Sequence, residues 1–273
     1  MVAFALALAL AFLPFFGSAA SAQGPLASST DQVSVSSASL AEAVRSSLAS
    51  AQLYSGFAPN RAAEALARAE TAWAELRGRF VSATGLREAG ASQAPGQADE
   101  HSTAAESVAR VDAAFASARA ALDLPDAERG PALAAARGAL WTALLRGSMY
   151  ATLAALDAGQ PEPALALLGA REYRRATTVT TPGTEATSAL LALQRGEMAA
   201  ADARTAVSAD LLDAYQARLL ATIDDLAVAR GAGQPVRVAE LRSLAVGYFE
   251  LLAPAYAEQL EVADGEGTQL GHP

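Results

Sequence analysis

Three groups of side chains in this sequence combine residue type and spacing in a way that can do chemistry. Asp210 and Asp213 lie one helical turn apart in the segment 200–230, and Asp224 falls on the same side at 100° per residue. Carboxylate oxygens, joined by a phenolate, are the donors that hard cations such as Ca²⁺ or Fe³⁺ prefer. The other reading of the same three aspartates is a solvated face opposite an apolar stripe of Leu212, Tyr215, Leu219, Ile223 and Leu226, the usual outcome for a bundle helix. The second group, Arg171-Glu172-Tyr173-Arg174-Arg175, puts three guanidiniums within five residues. That suits bidentate recognition of carboxylate or phosphate, or a structural ion-pair network with Glu172 paired to an arginine. The third is Glu258-x-x-Glu261, a metal-capable pair that also occurs commonly on helices by chance.

The rest of the composition narrows the chemistry. The chain has 273 residues, net charge −9, no Cys and two His, His101 and His272. Its 20 basic residues are all Arg. Without Cys there is no disulfide framework, thiolate metal site or thiol nucleophile. Two His leave little for an imidazole site or a His-based triad. An acidic chain is a poor match for nucleic acid, whose phosphates call for clustered cations. Ser and Thr are plentiful, but no suitably supported base accompanies them. The expectation is a non-enzymatic protein with no obligatory cofactor and no identified substrate.

The elements that must position these residues read as helices. Met1 to Phe16 is an uncharged apolar run, followed by small residues and Ala20-Ser21-Ala22, the form of a signal-peptidase site; a signal peptide at 1–22 is expected, with a short uncleaved N-terminal anchor as the alternative, since no basic residue precedes the run. A flexible Ser/Gly/Thr linker is expected at 23–37, an Ala-rich helical domain at 38–262 and a disordered tail at 263–273, with 85–102 as a partly disordered loop. Leu40, Val44, Leu48 and Ala51 recur at helical spacing, as do Ala62, Leu66, Ala69, Trp73, Leu76 and Phe80. Gly130-Pro131 reads as the start of a helix that is apolar on several sides, and therefore central. Thr181-Pro182, with Glu185 behind it, reads as another helix start. Pro254 is expected to bend the last helix. No segment alternates with period two. The fold expected is all-α, an antiparallel bundle of about seven or eight helices, exported to the periplasm or another extracytoplasmic space.

One stretch carries a likeness. From Trp141 the sequence runs W-T-A-L-L-R-G, then R-E-Y-R, a Thr-rich turn with P-G-x-x-A-T, and D-L-L-D-x-Y-Q-A-R-L. This order resembles the extracytoplasmic N-terminal region of bacterial high-affinity iron permeases, the oxidase-dependent iron transporter family. The likeness runs over about 132–256. The motif residues it singles out are Arg171, Glu172, Arg174, Pro182, Gly183, Asp210, Asp213, Tyr215, Gln216 and Arg218. The family's transport signature, R-E-x-x-E in a membrane helix, is not matched. Arg87-Glu88 is followed by Ala91 at the last position, Arg171-Glu172 by Arg175, and Glu258-x-x-Glu261 lacks the Arg. The resemblance implies an accessory role in iron uptake, presenting or sensing iron or docking a partner. The partner would be a membrane iron permease domain on a separate or truncated chain. It also implies that any iron would sit in the region shared by Glu172, Asp210, Asp213 and Tyr215. The alternative is a structural or protein-interaction module with no metal role.

Overall fold

Short connections and alanine-rich faces set the architecture. In the computed structural model, residues 35–83, 97–172 and 184–267 are described, and among them eight helices occur and no strand. They are α1 (Ser37–Tyr54), α2 (Pro59–Ala83), α3 (Gln97–Leu122), α4 (Asp126–Asp157), α5 (Pro161–Leu168), α6 (Thr184–Gln194), α7 (Ala200–Gly231) and α8 (Pro235–Gly267). The chain is an all-α bundle. None of its described helices is long and apolar enough to cross a membrane. Ser36 caps α1, its hydroxyl accepting from the Ser39 amide at 3.1 Å. Gly159, Gly196 and Gly233 end α4, α6 and α7 with positive φ, the left-handed turn that glycine enters without a Cβ penalty.

The central-helix expectation holds for α4, which packs against α1, α2, α3, α5, α7 and α8. Leu140, Leu144 and Ala151 face one core, shared with Val44, Leu66, Trp73, Leu76, Phe80 and Phe115. Leu145, Met149, Leu153 and Leu156 face a second core with Leu190, Val207, Leu211, Tyr215, Tyr248 and Leu251. A helix that must serve two cores has almost no polar side, as its sequence indicates.

Several boundaries differ from the sequence reading. α4 begins at Asp126, before Gly130-Pro131, and Pro131 sits inside its first turns. Pro125 stands at the cap, and its carbonyl accepts from the Glu128 and Arg129 amides at 2.9 Å. Asp126 and Glu128 then lie at the positive end of the helix dipole, so the start moves upstream. α3 begins at Gln97, inside the loop expected at 85–102. α8 continues to Gly267, into the expected tail. The leader at 1–22, the linker up to residue 34 and Thr181-Pro182 lie outside the described residues.

The stripe expected on α7 is rotated. Buried positions are Ala203, Val207, Leu211, Ala214, Tyr215, Thr222 and Ala229. Leu220, Ile223 and Val228 are exposed. Small residues make the closest helix contacts, so alanines outrank leucines on the inner side, and a hydrophobicity pattern misses this.

Close approach is most severe between α4 and α8. A Cβ on Gly138 would lie 2.9 Å from the Glu240 carbonyl and 3.0 Å from the Ser243 Cβ. A Cβ on Gly247 would overlap the Thr142 side chain at its Oγ1, Cβ and Cγ2. Thr142 cannot retreat, since its hydroxyl donates back to the Gly138 and Ala139 carbonyls at 3.2 Å. Gly247→Ala should therefore destabilise the fold by about 3 kcal/mol, the upper end for overpacking. Gly56→Ala, at a position with open space around it, should be close to neutral. Denaturant unfolding of the two variants side by side checks this.

Candidate functional site

Glu172 follows α5 and is 7% exposed, a carboxylate taken out of water. Such a group is tolerated only if its oxygens are satisfied and its charge is paired. Three helices do this. Trp141 Nε1 on α4 donates to Oε1 at 2.6 Å, and the Tyr248 hydroxyl on α8 donates to the same oxygen at 2.9 Å. Arg218 on α7 grips Oε2 through Nε at 3.1 Å and Nη2 at 2.9 Å. The expectation that Glu172 pairs with an arginine is met by Arg218, 46 residues away along the chain.

Arg171 turns the other way. Its buried guanidinium faces Asp210 on α7, Nη1 to Oδ2 at 3.6 Å, and donates from Nη2 to Thr187 Oγ1 on α6 at 2.8 Å. Adjacent residues thus fasten the end of α5 to α4, α6, α7 and α8. Asp210 is drawn inward by this pair, its side chain 14% exposed, which corrects its assignment to a solvated face. Asp213, one turn on, is exposed.

Tyr215 is fully buried and stacks on Tyr248, with ring centroids 6.3 Å apart at 30°. Among the described residues its hydroxyl has no hydrogen-bond partner. Burial, reinforced by the nearby Glu172 charge, pushes both phenols well above the ordinary tyrosine range, so they stay protonated.

The structure therefore gathers Arg171, Glu172, Asp210, Tyr215 and Arg218, and leaves Asp213 and Gln216 on the surface. Arg174, Pro182 and Gly183 lie outside the described residues, as does His272. Sequence reasoning missed the polar ends of Trp141 and Tyr248; no local spacing links Trp141, Glu172 and Tyr248. Among the described residues no three His, Cys, Asp or Glu side chains come together to hold a metal ion. Glu172 and Asp210 each face a guanidinium, and the neutral Tyr215 phenol would have to ionise before it could serve as a hard-cation donor.

Around this cluster opens a cleft of about 580 Å³ between α1, α4, α7 and α8, with Glu172, Trp141, Arg218 and Tyr248 in its lining.

Two consequences are measurable. Arg218→Gln removes the cationic partner of a buried carboxylate and should destabilise the fold by about 3–5 kcal/mol. Glu172→Gln keeps the shape and should be milder, with both read from thermal unfolding. Because folding holds Tyr215 and Tyr248 protonated, the unfolded chain, whose tyrosines ionise near 10.0, loses its protons first as pH rises. Stability from these groups is complete below pH 10 and falls above it, by about 1.4 kcal/mol per pH unit for each tyrosine. Alkaline unfolding of wild type should thus be steeper than that of Tyr248→Phe.

One comparison with known proteins agrees with the likeness read in the sequence. No curated protein and no solved structure matches the chain. The family described as "Iron permease FTR1 N-terminal domain" matches residues 35–269, from the start of α1 to the end of α8. That span includes the whole Glu172 cluster, and the chain belongs to the iron permease FTR1 N-terminal domain family.

Proposed function

We propose that this chain is a non-catalytic, extracytoplasmic helical domain of an iron-uptake system, and that it acts by docking on a membrane iron permease domain. The observation that carries the reading is the family match over 35–269, since the named domain is the N-terminal part of an iron permease. Two further observations support it. None of the described helices suits a membrane span, so conduction across a bilayer falls to another domain. The buried polar groups are used to tie helices together, which is what a rigid docking body needs.

A second reading is direct iron coordination by Glu172, Asp210, Asp213 and Tyr215. The observation in its favour is the buried Tyr215 hydroxyl, which has no partner among the described residues and lies close enough to Glu172 and Asp210 to feel both charges. Against it, a cation would have to displace Arg218 and Arg171 from the two carboxylates.

Two experiments separate these readings. Co-expressed with the membrane permease domain and extracted in detergent, the chain should elute with it. Separate elution, together with unchanged cellular iron uptake on deletion of the chain, would remove the docking reading. In thermal unfolding, Fe²⁺ or Fe³⁺ should leave the midpoint unchanged. Asp210→Ala/Asp213→Ala should lower it equally with and without iron, by about 3 kcal/mol of stability, because the buried Arg171 guanidinium loses the Asp210 carboxylate. An iron-dependent rise that vanishes in the double variant would establish coordination instead.

A further inference from the structure

Exposed apolar side chains are unevenly placed on this bundle. Among the described residues nine large hydrophobic side chains are exposed, and four of them belong to the α7/α8 hairpin. These are Leu220, Ile223, Val246 and Phe249, at 59%, 48%, 53% and 56% exposure. At 100° per residue, Leu220, Ile223 and Asp224 share an arc of about 100° on α7, and Arg242, Val246 and Phe249 share one of about 60° on α8. Each arc faces away from the buried positions of its own helix, such as Val207, Leu211 and Ala214 on α7 and Leu241, Tyr248 and Leu251 on α8. Together they make one apolar face on the outside of the hairpin. Single exposed apolar residues are ordinary on a protein surface, whereas a contiguous patch rimmed by polar groups marks an interaction site.

The charges at the rim say what fits the face. Asp224 borders it on α7 and Arg242 borders it on α8, both exposed. Among the described residues neither has an ion-pair or hydrogen-bond partner. The acid that reaches across to α8 is Asp225, paired with Arg237 at 3.3 Å, and Asp224 points about 100° away from it around the helix. That pair and the Tyr215–Tyr248 stack set the antiparallel register of α7 and α8, so Asp224 and Arg242 lie within about one helical turn of the same level.

A half-turn about an axis parallel to the hairpin lays α7 of one copy along α8 of another, antiparallel and level with it. Asp224 then meets Arg242 of the second copy, and symmetry makes the same contact twice. Between the two ion pairs, Leu220 and Ile223 pack on Val246 and Phe249 of the second copy. The face is its own complement in both shape of pattern and charge. We infer that this chain pairs with a second copy of itself through the outer face of the α7/α8 hairpin. A lipid surface matches less well, since it would leave Asp224 facing anionic headgroups on a chain of net charge −9. The inference goes beyond docking on a permease domain and does not depend on it.

Sedimentation of the full chain over a concentration series tests it, and a reversible monomer–dimer equilibrium is expected. Leu220→Ser/Phe249→Ser should weaken the dimer at least about tenfold while leaving the helical circular dichroism unchanged, since both side chains are exposed. Asp224→Arg should weaken it too, because it sets two like-charge contacts against Arg242, and Arg242→Asp should do the same. The two single variants mixed together should associate again, each supplying the charge that the other lacks. The double variant Asp224→Arg/Arg242→Asp should also recover the dimer. The inference is overturned by a chain that stays monomeric at about 1 mM, by a dimer indifferent to these variants, or by charge variants that remain apart when mixed. It is overturned as well by a monomer whose co-elution with the permease domain is lost in Leu220→Ser/Phe249→Ser, which would give the face to the permease.

Discussion

A single buried carboxylate organises the second half of this bundle. Glu172 is out of water, and its charge is tolerable only while Trp141, Tyr248 and Arg218 remain in place around it. Each partner comes from a different helix, so the requirement of one side chain becomes a constraint on the mutual positions of α4, α7 and α8. Arg171, next in sequence, adds α6 and a second point on α7 through Thr187 and Asp210. Apolar packing alone would tolerate small slides between alanine-rich helices. Directional hydrogen bonds to a planar carboxylate do not.

The exclusive use of arginine fits this task. Between helices, Arg137 reaches Glu240, Arg110 reaches Glu250, Arg204 reaches Asp157 and Arg119 reaches Glu70. A guanidinium grips a carboxylate with a fixed fork and resists deprotonation, whereas an ammonium is a hydrated point charge on a flexible stem. The exposed pairs add little stability at room temperature. Their contribution is orientation, and it complements close backbone contacts such as that of Gly247 with Thr142, which leave α4 and α8 no other register.

The same cluster gives the cleft its character. Trp141 turns its N–H inward to Glu172 and presents its ring toward Arg45, and Arg218 anchors Glu172 while remaining partly exposed. A structural hub and a concave polar surface are therefore two sides of one set of residues. An iron-permease N-terminal domain built in this way has a polar recess beside the hub that fastens its helices.

The amino-acid sequence by itself determined the helical class, because leucines and alanines at spacings of three and four, with Gly and Pro stops, leave no other regular structure for these segments. It also marked α4 as central, since no side of residues 133–156 is polar enough to face water. The motif order around Arg171-Glu172 and Asp210 to Arg218 was enough to suggest the family. Tertiary structure decided what those residues do. Asp210 and Asp213 look equivalent one turn apart, but Asp210 is drawn inward against Arg171 while Asp213 is exposed. The inner side of α7 was misread from its leucines because alanine, contributing little to a hydrophobicity pattern, allows the closest contact. Trp141, Glu172, Arg218 and Tyr248 have no common spacing. Local periodicity records which side of a helix is apolar; which helices meet, and through which polar atoms, is set only when distant segments pack and each buried charge must find its partner.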